Sequence, residues 1–214
     1  MTKFMFIIKK PNNKILKQIA KQLRAGAVVV YPTDTAYALG CDATNKKAVA
    51  HIFKIKGRDE KKAFPMIVAD IKMAKKYFGI VHDPLSILAR KHWPGPLSII
   101  VKAKKAIAAS ALHKGTAAVR VPDSKIARTL SKHLGRPLVA TSANVSGRPP
   151  CYSVKAYLAQ IGRNHAPEIV IDAGALRRRT PSTIVKVNDH GEVEVLRKGP
   201  VRLDISAQGG SALG

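Results

Sequence analysis

The feature that most constrains the fold is a five-residue run, 27–31 (Ala-Val-Val-Val-Tyr), that passes directly into the polar loop Pro32-Thr33-Asp34-Thr35. Apolar, largely β-branched residues at successive positions point to both faces of a strand, so this strand has to be covered on both sides. Helices provide that cover, and an α/β sheet follows. Further strands are expected at 4–8, 65–69, 97–101, 117–121, 137–141, 168–171, 182–187 and 192–197. Asn12 or Asn13 caps a helix whose Ile15, Leu16, Ile19 and Leu23 share one face, and Gly26 ends it. A helix over 45–55 turns Ala48, Ile52 and Ile55 inward, Asp70 caps one reaching Tyr77, and Asp83-Pro84 opens one reaching Arg90. Two more are expected near 123–134 and 153–161. Trp93-Pro94-Gly95-Pro96 reads as a rigid turn with a buried ring, and Cys41 as a small core residue. No repeat or linker divides the chain, which predicts one domain over 1–205 and a Gly/Ser/Ala-rich flexible tail over 206–214.

Composition narrows the function classes. With 46% apolar residues the chain is not disordered. No run approaches the ~18 apolar residues of a membrane span. The N-terminal apolar stretch is too short for a signal peptide, so a cytoplasmic protein without membrane association is expected. The formal charge of +25 is spread along the chain, in Lys9-Lys10, Lys46-Lys47, Lys104-Lys105 and Arg177-Arg178-Arg179. That distribution implies a polyanionic partner, with a simply solvated basic surface as the alternative. Aromatic residues at 5% argue against a reader that stacks single-stranded bases on rings. Cys41 and Cys151 stand far apart, and the seven histidines show no ligand spacing, so no protein metal site is assigned.

Ligands of α/β proteins sit in small, polar loops after strands. Four such loops stand out: 31–40, 56–62, 141–147, and 181–183 ahead of 196–199. Lys56, Arg58, Lys62 and Arg197 offer cations; Thr35, Ser142, Asn144 and Ser182 offer neutral hydrogen bonds. Such a set suits a phosphorylated ligand. Neither G-x-x-x-x-G-K-[ST] nor a strand followed by G-x-G-x-x-G occurs, which disfavours the common nucleotide folds, and no G-x-S-x-G elbow is present. Each loop also has a plainer reading. Lys56-Gly57-Arg58 fits a helix end capped by glycine, Ser142-x-Asn144 fits a side-chain-stabilised turn, and Asp34 can hydrogen-bond its own loop.

Taken in this order, the motifs resemble those of the YrdC-like family, the L-threonylcarbamoyl-AMP synthases that begin threonylcarbamoyladenosine (t6A) modification of tRNA. The resemblance runs from about Ala27 to Pro200. Its elements are Tyr31-Pro32-Thr33-Asp34-Thr35 with Leu39-Gly40, the K-x-R of Lys56 and Arg58, and Trp93-Pro94-Gly95-Pro96. They continue with Ala118-Val119-Arg120-Val121-Pro122, the S-x-N of Ser142 and Asn144, and Pro181-Ser182-Thr183-Ile184-Val185. The resemblance implies a twisted, mixed, open sheet with flanking helices and a large basic concave cavity. It implies catalytic positions at Lys56, Arg58, Ser142 and Asn144. ATP contacts would fall at Lys56, Arg58, Lys62, Thr116, Asn144, Ser182 and Arg197, and threonine contacts at Thr35, Arg120 and Ser142. Three departures weaken the threonine assignment most: Asp59 stands where proline is common, Ala38 where glycine is common, and Ala69 near where some members place a histidine. Only 14 residues follow Pro200, so the short, single-domain type is expected.

The reaction so implied joins threonine, bicarbonate (or CO2) and ATP, with Mg²⁺, into threonylcarbamoyl-AMP and pyrophosphate. A separate threonylcarbamoyl transferase complex would use the product, and tRNA or double-stranded RNA would be partners of the basic surface. The competing reading is an RNA-binding maturation factor of the same fold without adenylation activity. A carbamoyl transferase of hydrogenase maturation ranks last, because its zinc-finger cysteine pairs are absent. A paralogous branch sharing the Tyr-Ala-Leu-Gly-Cys stretch at 37–41 looks degraded at K-x-R and S-x-N, both intact here.

Overall fold

The structure, a computed structural model, describes residues 5–59, 62–80, 84–104, 106–161, 166–188 and 190–203. Phe4, Asp83 and the 206–214 tail therefore lie outside the described residues. Side-chain caps set the helix starts. Asn12 Oδ1 accepts the Ile15 N–H at 2.9 Å to begin α1 (Asn13–Arg24). Asn45 does the same for α2 (Lys46–Lys56), Asp70 for α3 (Ile71–Tyr77) and Ser124 for α5 (Lys125–Leu134). Pro84 precedes α4 (Leu85–His92), and α6 is Val154–Ile161.

The strands form two mixed sheets where one was expected. The first runs in the order β1 (Phe6–Lys9), β9 (Ile169–Asp172), β2 (Val29–Pro32), β3 (Tyr37–Gly40), β8 (Thr141–Ser142). The second runs β11 (Val193–Arg197), β10 (Thr183–Val187), β5 (Leu97–Lys102), β6 (Thr116–Arg120), β4 (Met66–Ile67), β7 (Leu138–Val139). As the 27–31 run requires, β2 is buried on both faces. Val29 and Tyr31 pack with Leu16, Ile19 and Leu23 of α1 and Leu130 and Leu134 of α5, while Val28 and Val30 belong to the larger core with Val49, Ile52 and Phe64. Cys41 is fully buried, and so nearly is Trp93, whose indole N–H donates to the Leu97 carbonyl at 2.7 Å.

Two segments depart from expectation. Residues 37–40, read as part of a loop, form β3 and pair antiparallel with β2. The turn between them is closed by Thr33, whose hydroxyl donates to the Ala36 carbonyl at 2.6 Å and accepts the Thr35 and Ala36 N–H groups at 3.2 Å. Residues 137–141, read as one strand, divide into β7 and β8 in different sheets. Gly40 permits that crossing: a Cβ there would collide with the Val139 carbonyl, to which the Tyr31 hydroxyl donates at 3.0 Å.

Candidate functional site

The K-G-R motif satisfies both of its readings at once. Gly57 ends α2 at φ 57°, a left-handed conformation suited to glycine. Lys56, in the last turn, points into the protein. Its ammonium donates to the Ser142 carbonyl at 2.6 Å, the Asn144 carbonyl at 2.8 Å and Asn144 Oδ1 at 2.9 Å, using all three of its donors. Asn144 Oδ1 also accepts the Ser142 hydroxyl at 2.6 Å, and its amide donates to the Arg148 carbonyl. Burial, reinforced by the Arg58 charge, pulls the Lys56 ammonium down to about 8. Lys56 and Asn144 are both buried and form a brace behind Ser142. The Lys56 donors, expected from the sequence to contact phosphate, are bound here to the Ser142 and Asn144 oxygens.

Arg58 emerges beyond Gly57. Its guanidinium donates to the Ala63 carbonyl at 2.9 Å and the Lys62 carbonyl at 3.4 Å, and lies 5.2 Å from the Phe64 ring centroid. Burial lowers its pKa from the ordinary arginine value. Lys62 helps hold Arg58 through its carbonyl and is not among the cavity-lining residues.

Asp34 does not bond its own loop; Thr33 has that role. Arg120, at the end of β6, donates from Nη1 to Asp34 Oδ2 at 3.0 Å, while Nη2 lies 3.0 Å from Oδ1. Nη2 also reaches the Thr35 hydroxyl at 3.3 Å. The pair ties the β2–β3 turn to the second sheet.

Elsewhere on the second sheet Arg197 donates to the Ser182 carbonyl at 2.8 and 3.0 Å and to its hydroxyl at 3.1 Å. Ser182 Oγ lies 2.9 Å from Ser98 Oγ. Burial lowers the Arg197 pKa, and the nearby Arg120 charge adds to the effect. Gly199 permits this arrangement, since a Cβ there would meet the backbone of Pro181, Ser182 and Thr183. The Thr116 hydroxyl donates to the His113 carbonyl at 2.8 Å.

These pieces surround one cavity of about 510 Å³, a size suited to a small-molecule ligand. Thr35, Arg58, Thr116, Arg120, Ser142, Ser182 and Arg197 line it, with contributions from both sheets. Sequence reasoning missed His113, Tyr152 and Arg179 in the lining. Arg179 had a signal, the 177–179 triplet two residues ahead of Pro181, but was read as surface charge. Among the described residues the lining holds four arginines and no carboxylate, so its charge favours an anion. No cluster of three His, Cys, Asp or Glu that could hold a metal occurs among the described residues.

Comparison with known proteins gives relatives along most of the chain. The sequence profile of the Sua5/YciO/YrdC family, described as "Telomere recombination", matches residues 21–199. The threonylcarbamoyl-AMP synthase of Vibrio vulnificus (strain YJ016) is 33% identical over 187 residues, covering 86% of this chain and 98% of its own. The structure of E. coli YciO superposes with a TM-score of 0.80 at 27% identity, covering 96% of this chain and 99% of that one. P. abyssi Sua5, solved in complex with L-threonine, has a TM-score of 0.80 at 28% identity. That match covers 92% of this chain and 57% of the longer Sua5 chain. With its motifs on one cavity and the family profile matching most of its length, this chain belongs to the Sua5/YciO/YrdC family.

Proposed function

We propose that this protein is a threonylcarbamoyl-AMP synthase, a nucleotidyltransferase acting in the t6A modification of tRNA. One observation carries the reading: the K-x-R, S-x-N, Thr35/Arg120 and Ser182/Arg197 elements converge on a single anion-favouring cavity in a chain related along most of its length to enzymes of that name. The RNA-binding reading without adenylation is not favoured, since it gives no reason for a closed set of hydroxyls and guanidiniums inside the fold.

In the proposed reaction the threonine amine and bicarbonate form a carbamate with loss of water. A carbamate oxygen then bonds to the α-phosphorus of ATP as the bridging Pα–O bond breaks, its electron pair leaving with pyrophosphate. Arg120 and Thr35 hold threonine, the carboxylate against the guanidinium that Asp34 orients. Arg58, Thr116, Ser182 and Arg197 hold ATP, with Lys62 as a further cation for its phosphates. Ser142 faces the junction of the two substrates, and Lys56 and Asn144 keep it there. Holding an unstable carbamate against phosphorus makes proximity the main catalytic contribution. Mg²⁺ enters with ATP, as part of the substrate. The donors around the cavity are hydroxyls and cations, and Asp34, the carboxylate beside Arg120, is already paired, so phosphate oxygens and water are the natural ligands. No helix among the described residues is long and apolar enough to cross a membrane. In this reading the enzyme is cytoplasmic and passes its product to a separate transferase complex. Release of pyrophosphate that depends on threonine, bicarbonate and ATP together tests the proposal.

A further inference from the structure

We propose that Arg179 is the outer cation of the phosphate subsite, gripping the β- and γ-phosphates of ATP and the departing pyrophosphate; this rests on the synthase reading above. The observation is a contrast among the four arginines lining the cavity. Arg58 is bound to two carbonyls and lies beside the Phe64 ring, Arg120 is paired with Asp34, and Arg197 is bound to Ser182. Arg179 lines the same cavity yet makes no hydrogen bond or ion pair with the described residues, and it is exposed. A guanidinium carries five donors in a planar fork matched to phosphate oxygens, and here the whole fork is open.

The loop that carries Arg179 is anchored on both sides of it, while its own side chain is unbound. On one side the Leu176 N–H donates to the Tyr152 carbonyl at 2.7 Å, and the Arg178 guanidinium lies 5.5 Å from the Tyr152 ring centroid. On the other, Gly199 packs against Pro181 and Ser182, and the Thr183 N–H donates to the Pro96 carbonyl at 2.9 Å. The loop thus presents one unengaged cation on the cavity wall, near Ser182, which is buried, and the Arg197 bound to it. Arg58, Arg120 and Arg197 can position a ligand but have already committed donors to the protein. Arg179 can follow negative charge as it moves onto the leaving pyrophosphate, which the more rigid arginines cannot do.

The test compares Arg179→Ala, Arg179→Lys and, as a control from the same loop outside the cavity, Arg177→Ala. Binding of ATP, ADP, AMP and inorganic pyrophosphate is measured by equilibrium dialysis, and KM for ATP and threonine by pyrophosphate release. In Arg179→Ala, ATP and pyrophosphate affinity should fall about tenfold, the size of one lost charge-assisted contact, with AMP and threonine unchanged. Arg179→Lys should recover part of the loss, and Arg177→Ala should match wild type. Unchanged ATP affinity in Arg179→Ala overturns the proposal, as does an equal loss for AMP or an equal loss in Arg177→Ala. Because dialysis needs no turnover, a wild-type protein that binds ATP without releasing pyrophosphate would count against the synthase reading while the Arg179 assignment is still decided by binding.

Discussion

Lys56 donates to both oxygens of Asn144, the carbonyl at 2.8 Å and Oδ1 at 2.9 Å, across 88 residues of sequence. With its third bond to the Ser142 carbonyl, this fixes the S-x-N strand end to the C-terminus of α2. Lys56→Met should therefore take a donor from three buried or half-buried oxygens and leave the Asn144 carbonyl without one among the described residues, since the Ser142 hydroxyl still reaches Asn144 Oδ1 and the Asn144 N–H still reaches the Ser142 carbonyl. Stability should fall by about 1–3 kcal/mol, the penalty for unsatisfied buried polar groups, and kcat should fall further than KM rises. Urea unfolding and steady-state pyrophosphate release check both effects. A variant with wild-type kcat would show that the brace has no part in positioning Ser142.

The same lysine predicts a pH dependence with two opposite signs. Its folded pKa, about 8, lies below its ordinary 10.5, so between these values the unfolded chain holds more proton on Lys56 than the folded protein. Stability contributed by this group accordingly rises with pH across that window, is full above it and is lost as pH falls through 8. Activity should run the other way. A neutral amine has two donors for three acceptors, so turnover should decline as pH rises through about 8 while the fold stays intact. A pH–rate profile with circular dichroism at each pH checks this. A decline shared by Lys56→Arg, whose charge persists, would assign it to another group.

Removing the Asp34 charge should expose the Arg120 guanidinium as an unpaired cation in the wall, where the two side chains are only 10% and 4% exposed. Asp34→Asn should lower the free energy of unfolding by about 3 kcal/mol, toward the low end for a broken buried pair. KM for threonine should rise as the fork loses its orientation, with ATP affinity little changed. Thermal unfolding and separate titrations of the two substrates check the prediction.

Gly199→Ala should disturb the cavity from behind. The added methyl meets backbone, which cannot rotate away, so Ser182 must move relative to Arg197 and Ser98. The expected cost is about 1–3 kcal/mol of stability with a raised KM for ATP. An unchanged KM would mean that Ser182 does not contact the nucleotide.

The parts of the fold legible in the sequence are those fixed by local chemistry. Asn12 and Asp70 cap the helices expected to start there, and the apolar run through Val29 and Val30 is buried on both faces, as residue type and spacing demand. The division of the strands into two sheets was not legible, because it depends on Gly40 letting the Val139 carbonyl approach from about a hundred residues away. In the site, the loops were legible and their internal geometry was not. Nothing local distinguishes a helix-end lysine that faces solvent from one that turns inward, so the bonds from Lys56 to Ser142 and Asn144 could not be read from the sequence. Likewise Asp34 looks like a turn residue until Arg120 arrives from another sheet. Arg179 is indistinguishable in sequence from Arg177 and Arg178, and only the path of its loop brings it to the cavity wall.

The most direct measurement is to incubate the protein with ATP, Mg²⁺, threonine and ¹³C-bicarbonate and to identify the nucleotide product by mass spectrometry. The expected result is pyrophosphate together with a threonylcarbamoyl-AMP adduct one mass unit heavier than that from unlabelled bicarbonate, absent when either threonine or bicarbonate is left out and greatly reduced in Ser142→Ala. Pyrophosphate release that is indifferent to threonine and bicarbonate, or tight ATP binding with no adduct under any of these conditions, would contradict the synthase assignment.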